Sequence, residues 1–328
     1  MIEVQNLTKH YGPVTAIRDV SFSVAAGQIV GFLGPNGAGK STTMRILSCF
    51  MPASTGSARV AGYDVFRESM EVRKRIGYLP ENVPLYSDMR VNAYLDFVAE
   101  VKGVGRTTRR ARVADVMDRC LIADVQHRLI GKLSKGYRQR VGLAQAIVSD
   151  PHVLILDEPT IGLDPRQIIE IRALIKSLAG EHTVILSTHI LPEVSMVCDS
   201  VVIINKGSIV AQGRIDTLVE EFFPTARVEV EIAGPADAVR GGLRGLPGVV
   251  QVTPQLSRDG AGRYVVESGR GRDVRAEIFQ LAAHQKWELR ELRRVGMTLE
   301  EVFIRIVAGE ETEAAPAAET PAAPQASA

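Results

Sequence analysis

Short apolar runs alternate with longer helical patterns through the first two thirds of the chain. Ile29–Leu33, Leu154–Leu156 and Val184–Ser187 are runs of strand length, whereas Lys40–Phe50 and Ile168–Leu178 repeat apolar residues at helical spacing. Uninterrupted apolar runs of this length are typical of strands that are buried on both faces, as in a parallel sheet. The pattern therefore predicts an α/β domain in which helices cover both sides of a mainly parallel sheet.

Near residue 225 the pattern changes to short strands that alternate polar and apolar residues. The predicted strands are Arg227–Ile232, Val249–Thr253, Arg263–Glu267 and Trp287–Arg293, and the predicted helices are Asp237–Leu243 and Asp273–His284. The resulting order, β-α-β-β-α-β, is typical of a small ferredoxin-like α+β domain.

These patterns divide the 328 residues into three segments, and the length exceeds what one hydrophobic core usually supports. We expect an α/β domain over residues 1–222, a small accessory domain over residues 225–308 and a tail over residues 309–328. The tail reads GEETEAAPAAETPAAPQASA, a composition that cannot bury a core and therefore predicts disorder.

The charge balance and the lack of long apolar stretches narrow the class of partner. Lys and Arg number 39 and Asp and Glu number 38, so the net charge is +1. Proteins that mainly hold nucleic acid usually have a large basic excess, so no nucleic-acid partner is expected. No run approaches the roughly 20 apolar residues that cross a bilayer, and the start MIEVQNLTKHYG does not resemble a signal peptide. Any contact with a membrane should therefore pass through another protein or a surface element.

A glycine-rich loop follows the first apolar run and precedes a predicted helix. Glycines let such a loop curl so that successive backbone N–H groups point at phosphate oxygens, and the helix adds its positive dipole end. The lysine of the pattern G-x-x-x-x-G-K-[ST] adds charge at the β and γ phosphates, and the next hydroxyl is a Mg²⁺ ligand. The loop consists of Gly34, Pro35, Asn36, Gly37, Ala38, Gly39, Lys40 and Ser41, and Thr42 follows it. A triphosphate site with Mg²⁺ is predicted here.

Two acidic residues, Asp157 and Glu158, come directly after the apolar run Val153–Leu156. Charge at the end of a buried strand is costly unless a metal or hydrogen bonds compensate it. Asp157 is suited to hold Mg²⁺, directly or through water, and Glu158 is suited to be the general base that activates the attacking water. Together with the glycine-rich loop, these acids predict phosphoryl chemistry.

Residues 1–215 resemble the ATPases of ABC transporters. Leu133–Gln139, LSKGYRQ, is similar to the family signature, usually LSGGQ. The resemblance implies that Ser134, Lys135 and Gly136 face the γ-phosphate of ATP held by a second copy or a related subunit. Ser134 is equally suited to be an ordinary N-cap of the following helix, and both roles can hold together.

Further motifs of the family follow in order. The resemblance implies that Tyr11 stacks on adenine, and that Gly162-Leu163-Asp164 lines the seam between two subunits. Ser187-Thr188-His189 resembles the switch motif, which implies that His189 contacts the γ-phosphate and orients the attacking water.

Departures from the family pattern point to one branch. Glu81 stands where a glutamine is usual, and we expect it to approach Mg²⁺; Lys135 and Tyr137 replace the usual Gly and Gln of the signature. These departures leave Glu158 in place, so hydrolysis is expected. With the late segment Thr298–Phe303, TLEEVF, they resemble ABC-2 exporter ATPases, closest to the gliding-motility-associated type. Thr298 and Glu301 also have the spacing of a helix capping box.

The family resemblance also implies a membrane partner. In the family, the segment that corresponds to residues 82–103 receives a helix of a polytopic ABC-2 permease, and its apolar residues serve either that interface or the core. These residues are Tyr86, Met89, Tyr94, Leu95 and Phe97. The implied location is the cytoplasmic face of the bacterial inner membrane, as a peripheral subunit.

Two other functions stay open. A soluble ABC ATPase could act on ribosomes or DNA, but ribosome-acting members usually carry two cassettes, and DNA-repair members insert a long coiled coil that the segment from Lys40 to Ser134 lacks. A regulatory subunit that does not hydrolyse ATP is disfavoured by the presence of Glu158 and His189. The cargo is set by another chain and is not encoded in these motifs.

Overall fold

The computed structural model describes residues 1–222, 226–258, 261–269, 272–296 and 298–313. Within it, contacts divide the chain into two compact units, Met1–Leu218 and a second unit that begins at Val219. The predicted domain limit at 222–225 includes residues 223–225, which lie outside the described ranges, and it stays a prediction.

The first unit is built from two sheets. Its strands are β1 (Ile2–Tyr11), β2 (Val14–Val24), β3 (Ile29–Leu33), β4 (Thr55–Val60), β5 (Tyr63–Asp64), β6 (Ile76–Leu79), β7 (Val153–Asp157), β8 (Thr183–Thr188), β9 (Ser200–Asn205) and β10 (Ser208–Arg214). A six-stranded sheet has the order β10-β9-β3-β8-β7-β6, and every neighbouring pair in it is parallel except β10 with β9. Strands β2, β1, β4 and β5 form a separate antiparallel sheet. The mainly parallel sheet predicted from the apolar runs is confirmed.

Eight α-helices follow or separate these strands in the part of the chain up to residue 222. They are α1 (Lys40–Leu47), α2 (Ser69–Arg75), α3 (Val91–Val101), α4 (Arg106–Arg119), α5 (Lys135–Ile147), α6 (Pro165–Ser177), α7 (Leu191–Val197) and α8 (Ile215–Phe222). Helix α1 ends three residues before the predicted Phe50. Cys49 there adopts φ 59°, and the N–H groups of Cys49 and Phe50 turn back to the carbonyls of Ile46 and Arg45. A left-handed residue closes the helix in this way, which the apolar periodicity did not reveal.

Successive residues of the central strands face two different cores, because side chains alternate across a sheet. Leu154 and Leu156 pack among the helices α3 to α6, whereas Val153 and Ile155 pack against α1 and the small antiparallel sheet. Burial on both faces explains why these strands are continuous apolar runs in the sequence.

The second unit has the predicted order and an antiparallel sheet. Its elements are β11 (Ala226–Ala233), α9 (Ala236–Arg244), β12 (Val249–Arg258), β13 (Ala261–Ser268), α10 (Arg275–Gln285), β14 (Glu288–Val295) and α11 (Leu299–Glu313). The sheet order β12-β13-β11-β14 is that of a ferredoxin-like domain, with Val228, Val230 and Ile232 buried in its core. On β11, the side chains between these residues form ion pairs with neighbouring strands, such as Glu231 with Arg263 and Glu229 with Arg293.

The end of the second unit confirms one detail of the sequence and corrects another. Thr298 and Glu301 form the predicted capping box: the Glu301 N–H donates to Thr298 Oγ1 at 3.3 Å, and the Thr298 N–H donates to Glu301 Oε2 at 3.0 Å. Helix α11 continues to Glu313, inside the predicted tail, since the first proline of that segment comes only at Pro316. Residues 314–328 lie outside the described ranges.

Among the helices that the structure describes, none is both long and apolar enough to cross a bilayer.

Gly77 of β6 lies against helix α5, and this contact makes a test of the packing. A Cβ atom at Gly77 would overlap the carbonyl oxygen of Ala146, a backbone atom that cannot move aside alone. We expect Gly77→Ala to lower the free energy of unfolding by about 1–3 kcal/mol, measured by thermal unfolding. The control is Gly241→Ala inside α9, where no atom lies within 4 Å. That change should raise stability by about 0.5–1 kcal/mol, and equal effects of the two variants would contradict the packing argument.

Candidate functional site

The ends of four neighbouring strands meet at one edge of the large sheet. The register pairs Leu33 of β3 with Thr188 of β8, and it pairs Asp157 of β7 with Ser187 of β8. The next strand, β6, ends at Leu79, two residues before Glu81. In open α/β sheets ligands bind beyond the carboxyl ends of the strands, so the predicted site residues gather where such a site is expected.

The glycine-rich loop turns tightly between β3 and α1. Gly39 adopts φ 105°, and a Cβ atom there would lie 2.8 Å from the carbonyl oxygen of Ala16. At Gly34 a Cβ atom would overlap the carbonyl oxygen of Ile204 on β9. Glycine is therefore required both for the backbone conformation and for the close approach of neighbouring chain segments.

The lysine of this loop is buried and lies between the loop and the acidic strand. Lys40 Nζ donates hydrogen bonds to the carbonyls of Gly34 at 2.8 Å and Pro35 at 3.2 Å. The same atom lies 3.5 Å from Glu158 Oε1, and the two side chains are each only 6% exposed. The ammonium group therefore neutralises a carboxylate that would otherwise be buried alone.

These groups surround a cavity of about 490 Å³. It is lined by Ala16, Asn36, Gly37, Gly39, Lys40, Ser41, Thr42, Glu81, Glu158, Ile161 and His189. Most of the loop residues line it, together with Glu81, Glu158 and His189 from other segments. Asp157, the other predicted metal ligand, does not line it but contacts Ser41. Ala16 and Ile161 were not predicted, because neither carries a polar side chain that a motif could single out.

Ser41 and Asp157 place two potential metal-ligand oxygens side by side. Ser41 Oγ donates to Asp157 Oδ1 at 3.2 Å, and the Asp157 side chain is buried. A hydroxyl and one carboxylate suit Mg²⁺, which usually takes one or two protein oxygens besides water and phosphate oxygens. The residues present therefore fit the metal that the sequence predicts at this position.

Ser187 holds the two acids in place, a role that the sequence did not reveal. Its hydroxyl donates to Asp157 Oδ1, and it accepts the backbone N–H of Glu158 at 3.2 Å. The Ser187 carbonyl accepts the same N–H at 3.1 Å. The available signal was a serine at the end of a buried strand, but its partner depends on the pairing of β7 with β8.

Glu158 has an unusual backbone conformation. Its φ of 50° lies in the left-handed region, which costs a residue with a Cβ atom of order 1 kcal/mol or more. Its carboxylate lies 2.9 Å from His189 Nδ1. The tautomer with the proton on Nδ1 makes this a hydrogen bond from the imidazole to the carboxylate.

Tyr78 on β6 lies close to this cluster. Burial, reinforced by the negative charge of Asp157, raises the pKa of Tyr78 to about 12. The phenol therefore stays neutral near pH 7, and it adds no second anion beside Asp157.

Tyr11 and the signature residues do not line the cavity. Tyr11 ends β1, is 43% exposed and donates its hydroxyl to Met51 Sδ at 3.0 Å. Ser134 caps α5 by accepting the Tyr137 N–H at 3.3 Å, which confirms the ordinary capping role. Gly136 is buried against Gln167, and the Lys135 ammonium lies against Gly162. The roles of Tyr11, Ser134, Lys135 and Gly136 toward nucleotide stay predictions.

The sequence of this chain is similar to that of a known family. Residues 17–161 match the ABC transporter family, a range that includes the glycine-rich loop, the signature and both acids. The ABC transporter ATP-binding protein NatA of Bacillus subtilis (strain 168) is 37% identical over 209 residues, 63% of this chain and 85% of NatA. This chain belongs to the ATP-binding subunits of ABC transporters. Members of this family hydrolyse ATP, so the protein is an ATPase whose site binds ATP.

Other comparisons agree with this family. The bacitracin transport ATP-binding protein BcrA of Bacillus licheniformis is 37% identical over 223 residues, 66% of this chain and 71% of BcrA. A solved ATP-binding subunit of an ABC transporter is 29% identical with a TM-score of 0.63, covering 68% of this chain and 93% of that one. The ABC ATPase fold is thus established, and ATPase domains of this family dimerise and pair with transmembrane permeases.

The position of Glu158 predicts the outcome of a conservative substitution. Glu158→Gln keeps the size of the side chain but removes its ability to accept a proton, so ATP turnover should fall by about 100-fold or more. ATP binding, measured by a fluorescent ATP analogue, should persist because Lys40 and the loop are unchanged. Glu181→Gln, which changes a carboxylate that is 64% exposed, is the control and should keep full turnover. Wild-type turnover in Glu158→Gln would show that another group is the base.

Proposed function

We propose that this protein is the ATP-driven motor of an ABC-2 type exporter, which dimerises on ATP and moves a separate transmembrane permease. The observation that carries the proposal is the convergence of Lys40, Ser41, Asp157, Glu158 and His189 at one sheet edge, as ATP hydrolysis requires. The relatives NatA, an ABC transporter ATP-binding protein, and BcrA, a bacitracin transport ATP-binding protein, support a role in transport.

In this proposal the glycine-rich loop would hold the phosphates of ATP. Two carboxylates and one hydroxyl would hold the metal ion. Backbone N–H groups of the loop and the Lys40 ammonium bind the phosphate oxygens. Ser41, Asp157 and Glu81 would hold Mg²⁺, which supplies charge neutralisation at the β and γ phosphates when bound. Tyr11, at the end of β1, is 43% exposed and is the ring proposed to stack on adenine.

The hydrolytic step assigns complementary roles to Glu158 and His189. The Glu158 carboxylate accepts the proton of the attacking water, and Lys40 Nζ lies 3.5 Å from it. His189, held by its Nδ1–H bond to Glu158, presents its other ring nitrogen as a hydrogen-bond acceptor that would orient the attacking water. Positioning of this kind supplies most of the catalysis in phosphoryl transfer.

A second copy of the chain, or a related subunit, would complete each site. Ser134, Lys135 and Gly136 lie at the start of α5, where N–H groups and the helix dipole favour an anion. The family resemblance implies that the signature faces the γ-phosphate bound by the opposite subunit, and this position at a helix start suits that role. ATP then acts as the bridge between two subunits.

The segment 82–103 supports the proposed permease contact. Tyr94 and Leu95 are buried in the core, whereas Tyr86 is 55% exposed and Phe97 is 41% exposed. The Tyr86 ring packs on Phe97 with centroids 5.8 Å apart, so the two form one exposed aromatic surface. Through this surface the protein would sit at the cytoplasmic face of a bacterial inner membrane as a peripheral subunit.

The finer resemblance to gliding-motility-associated ATPases rests on sequence motifs, and NatA and BcrA carry other names. On the basis of this resemblance, the proposed class of cargo is material for the cell surface or for motility. The permease lines the cargo path, so its identity decides the cargo.

The proposed metal role of Glu81 can be tested by titration. In Glu81→Gln one negative charge beside the cavity is lost, so the Mg²⁺ concentration for half-maximal turnover should rise about threefold to tenfold. Turnover at saturating Mg²⁺ should change less. The exposed variant Glu181→Gln is the control and should leave the titration unchanged, and an unchanged titration in Glu81→Gln would remove Glu81 from the metal site.

The permease contact predicts the result of purification from the native host. The full chain should bring along a polytopic membrane protein, and the double variant Tyr86→Ser, Phe97→Ser should lose it while keeping ATPase activity. Phe279→Ser in α10, a residue that is 59% exposed, is the matched control and should retain the partner. Recovery of ribosomes or DNA in place of a membrane protein would favour the soluble ABC ATPase.

A further inference from the structure

A buried carboxylate, that of Glu193, bonds to neighbours of Glu158 and His189, the proposed catalytic pair. Glu193 of α7 is 1% exposed, and its Oε2 accepts hydrogen bonds from Thr160 Oγ1 at 2.9 Å and Thr188 Oγ1 at 3.1 Å. Its Oε1 accepts from Arg172 Nη2 of α6 at 3.1 Å. One carboxylate thus joins the segment after β7, the end of β8 and two helices.

The two threonines adjoin the residues of the catalytic pair. Thr160 follows Glu158 by two positions, and Thr188 directly precedes His189. Both threonines are buried, and Thr188 Oγ1 also accepts the Ile190 N–H at 3.0 Å, which fixes the turn that carries His189. The Glu193 carboxylate therefore bonds to chain segments on both sides of the contact between Glu158 and His189.

Stability alone is a weak reason for this arrangement. Burying a carboxylate and a guanidinium is costly, and apolar side chains of similar volume often stabilise a protein as well or better. The Arg172 side chain is imperfectly satisfied: its Nε is buried and has no hydrogen-bond partner among the described residues. The network also includes Arg172 of α6, the helix that follows the Gly162–Asp164 loop. It therefore links several segments around the site, as a positioning role requires.

Glu158 needs such external restraint. Its left-handed backbone is unfavourable for a residue with a Cβ atom, and such conformations persist only where surrounding contacts fix them. Ser187 fixes the N–H of Glu158 from one side. The bond from Thr160 to Glu193 fixes the chain two residues further on, and the bond from Thr188 fixes the opposing strand.

We propose that Glu193 is a positioning residue for hydrolysis, whose carboxylate holds Thr160 and Thr188 so that Glu158 and His189 stay paired. This inference rests on the proposed roles of Glu158 and His189. Glu193 does not line the cavity that faces the phosphates, so its effect should fall on the rate of the chemical step and spare the binding of ATP.

The test uses the full chain and compares steady-state kinetics with thermal unfolding. Thr160→Val removes one hydroxyl but leaves the Arg172–Glu193 pair intact, so folding should be preserved. Its kcat should fall about tenfold, because small misplacements of reacting groups can cost up to ~100-fold, and its KM for ATP should stay within twofold. Thr160→Ser restores the hydroxyl and should recover most of kcat, and equal kcat values for the Val and Ser variants would overturn the proposal.

A second pair of variants separates positioning from stability. Glu193→Gln should lower kcat about tenfold or more and also lower Tm, because it leaves Arg172 buried without its anion. Adding Arg172→Met to Glu193→Gln should restore Tm while kcat stays low. If kcat recovers together with Tm, Glu193 is structural and the proposal is wrong.

Measuring Glu158→Gln in parallel distinguishes the two levels of failure. If Glu158→Gln is inactive while Glu193→Gln and Thr160→Val turn over like wild type, the positioning role fails and the proposed function stands. If Glu158→Gln itself keeps wild-type turnover, the assignment of the base fails, and the positioning role fails with it.

Discussion

The hydroxyl of Ser187 is the contact on which the arrangement of the site depends. It donates to Asp157 and accepts the N–H of Glu158, so it holds the carboxylate proposed to bind Mg²⁺ and the proposed base in one fixed relation. The contact exists because β7 and β8 are parallel neighbours with Asp157 opposite Ser187. The same pairing places His189, two residues later, beside Glu158.

Charge compensation then determines which side chains can share this edge of the sheet. Asp157 and Glu158 are both buried, and burying an uncompensated carboxylate there would be costly. Lys40 lies within 3.5 Å of Glu158, and hydroxyls of Ser41 and Ser187 donate to Asp157. The glycine-rich loop therefore has two physical tasks, since it forms the proposed phosphate site and also brings the cation that compensates the acidic strand.

The sequence predicted the parts of this protein whose causes are local. Apolar runs gave the strands β3, β7 and β8, and motif spacing gave Lys40 and Glu158. The order of elements in the second unit followed from alternation and helical periodicity. The two hydrogen bonds of the Ser187 hydroxyl and the network around Glu193 were missed, because each depends on the register between segments that are distant in the sequence. The left-handed residues Cys49 and Glu158 were missed because neither is a residue type that signals such a backbone.

The ion pairs on the sheet of the second unit have a consequence for its behaviour at high concentration. Strand β14 forms one edge of that sheet, and its sequence, ELRELRRV, places a charged residue at most positions. An open edge offers unpaired backbone groups to any other strand, and closely spaced charges make such pairing unfavourable. Association of this unit with another strand along the β14 edge is thus disfavoured. Its contacts with other molecules should then use surfaces other than this edge.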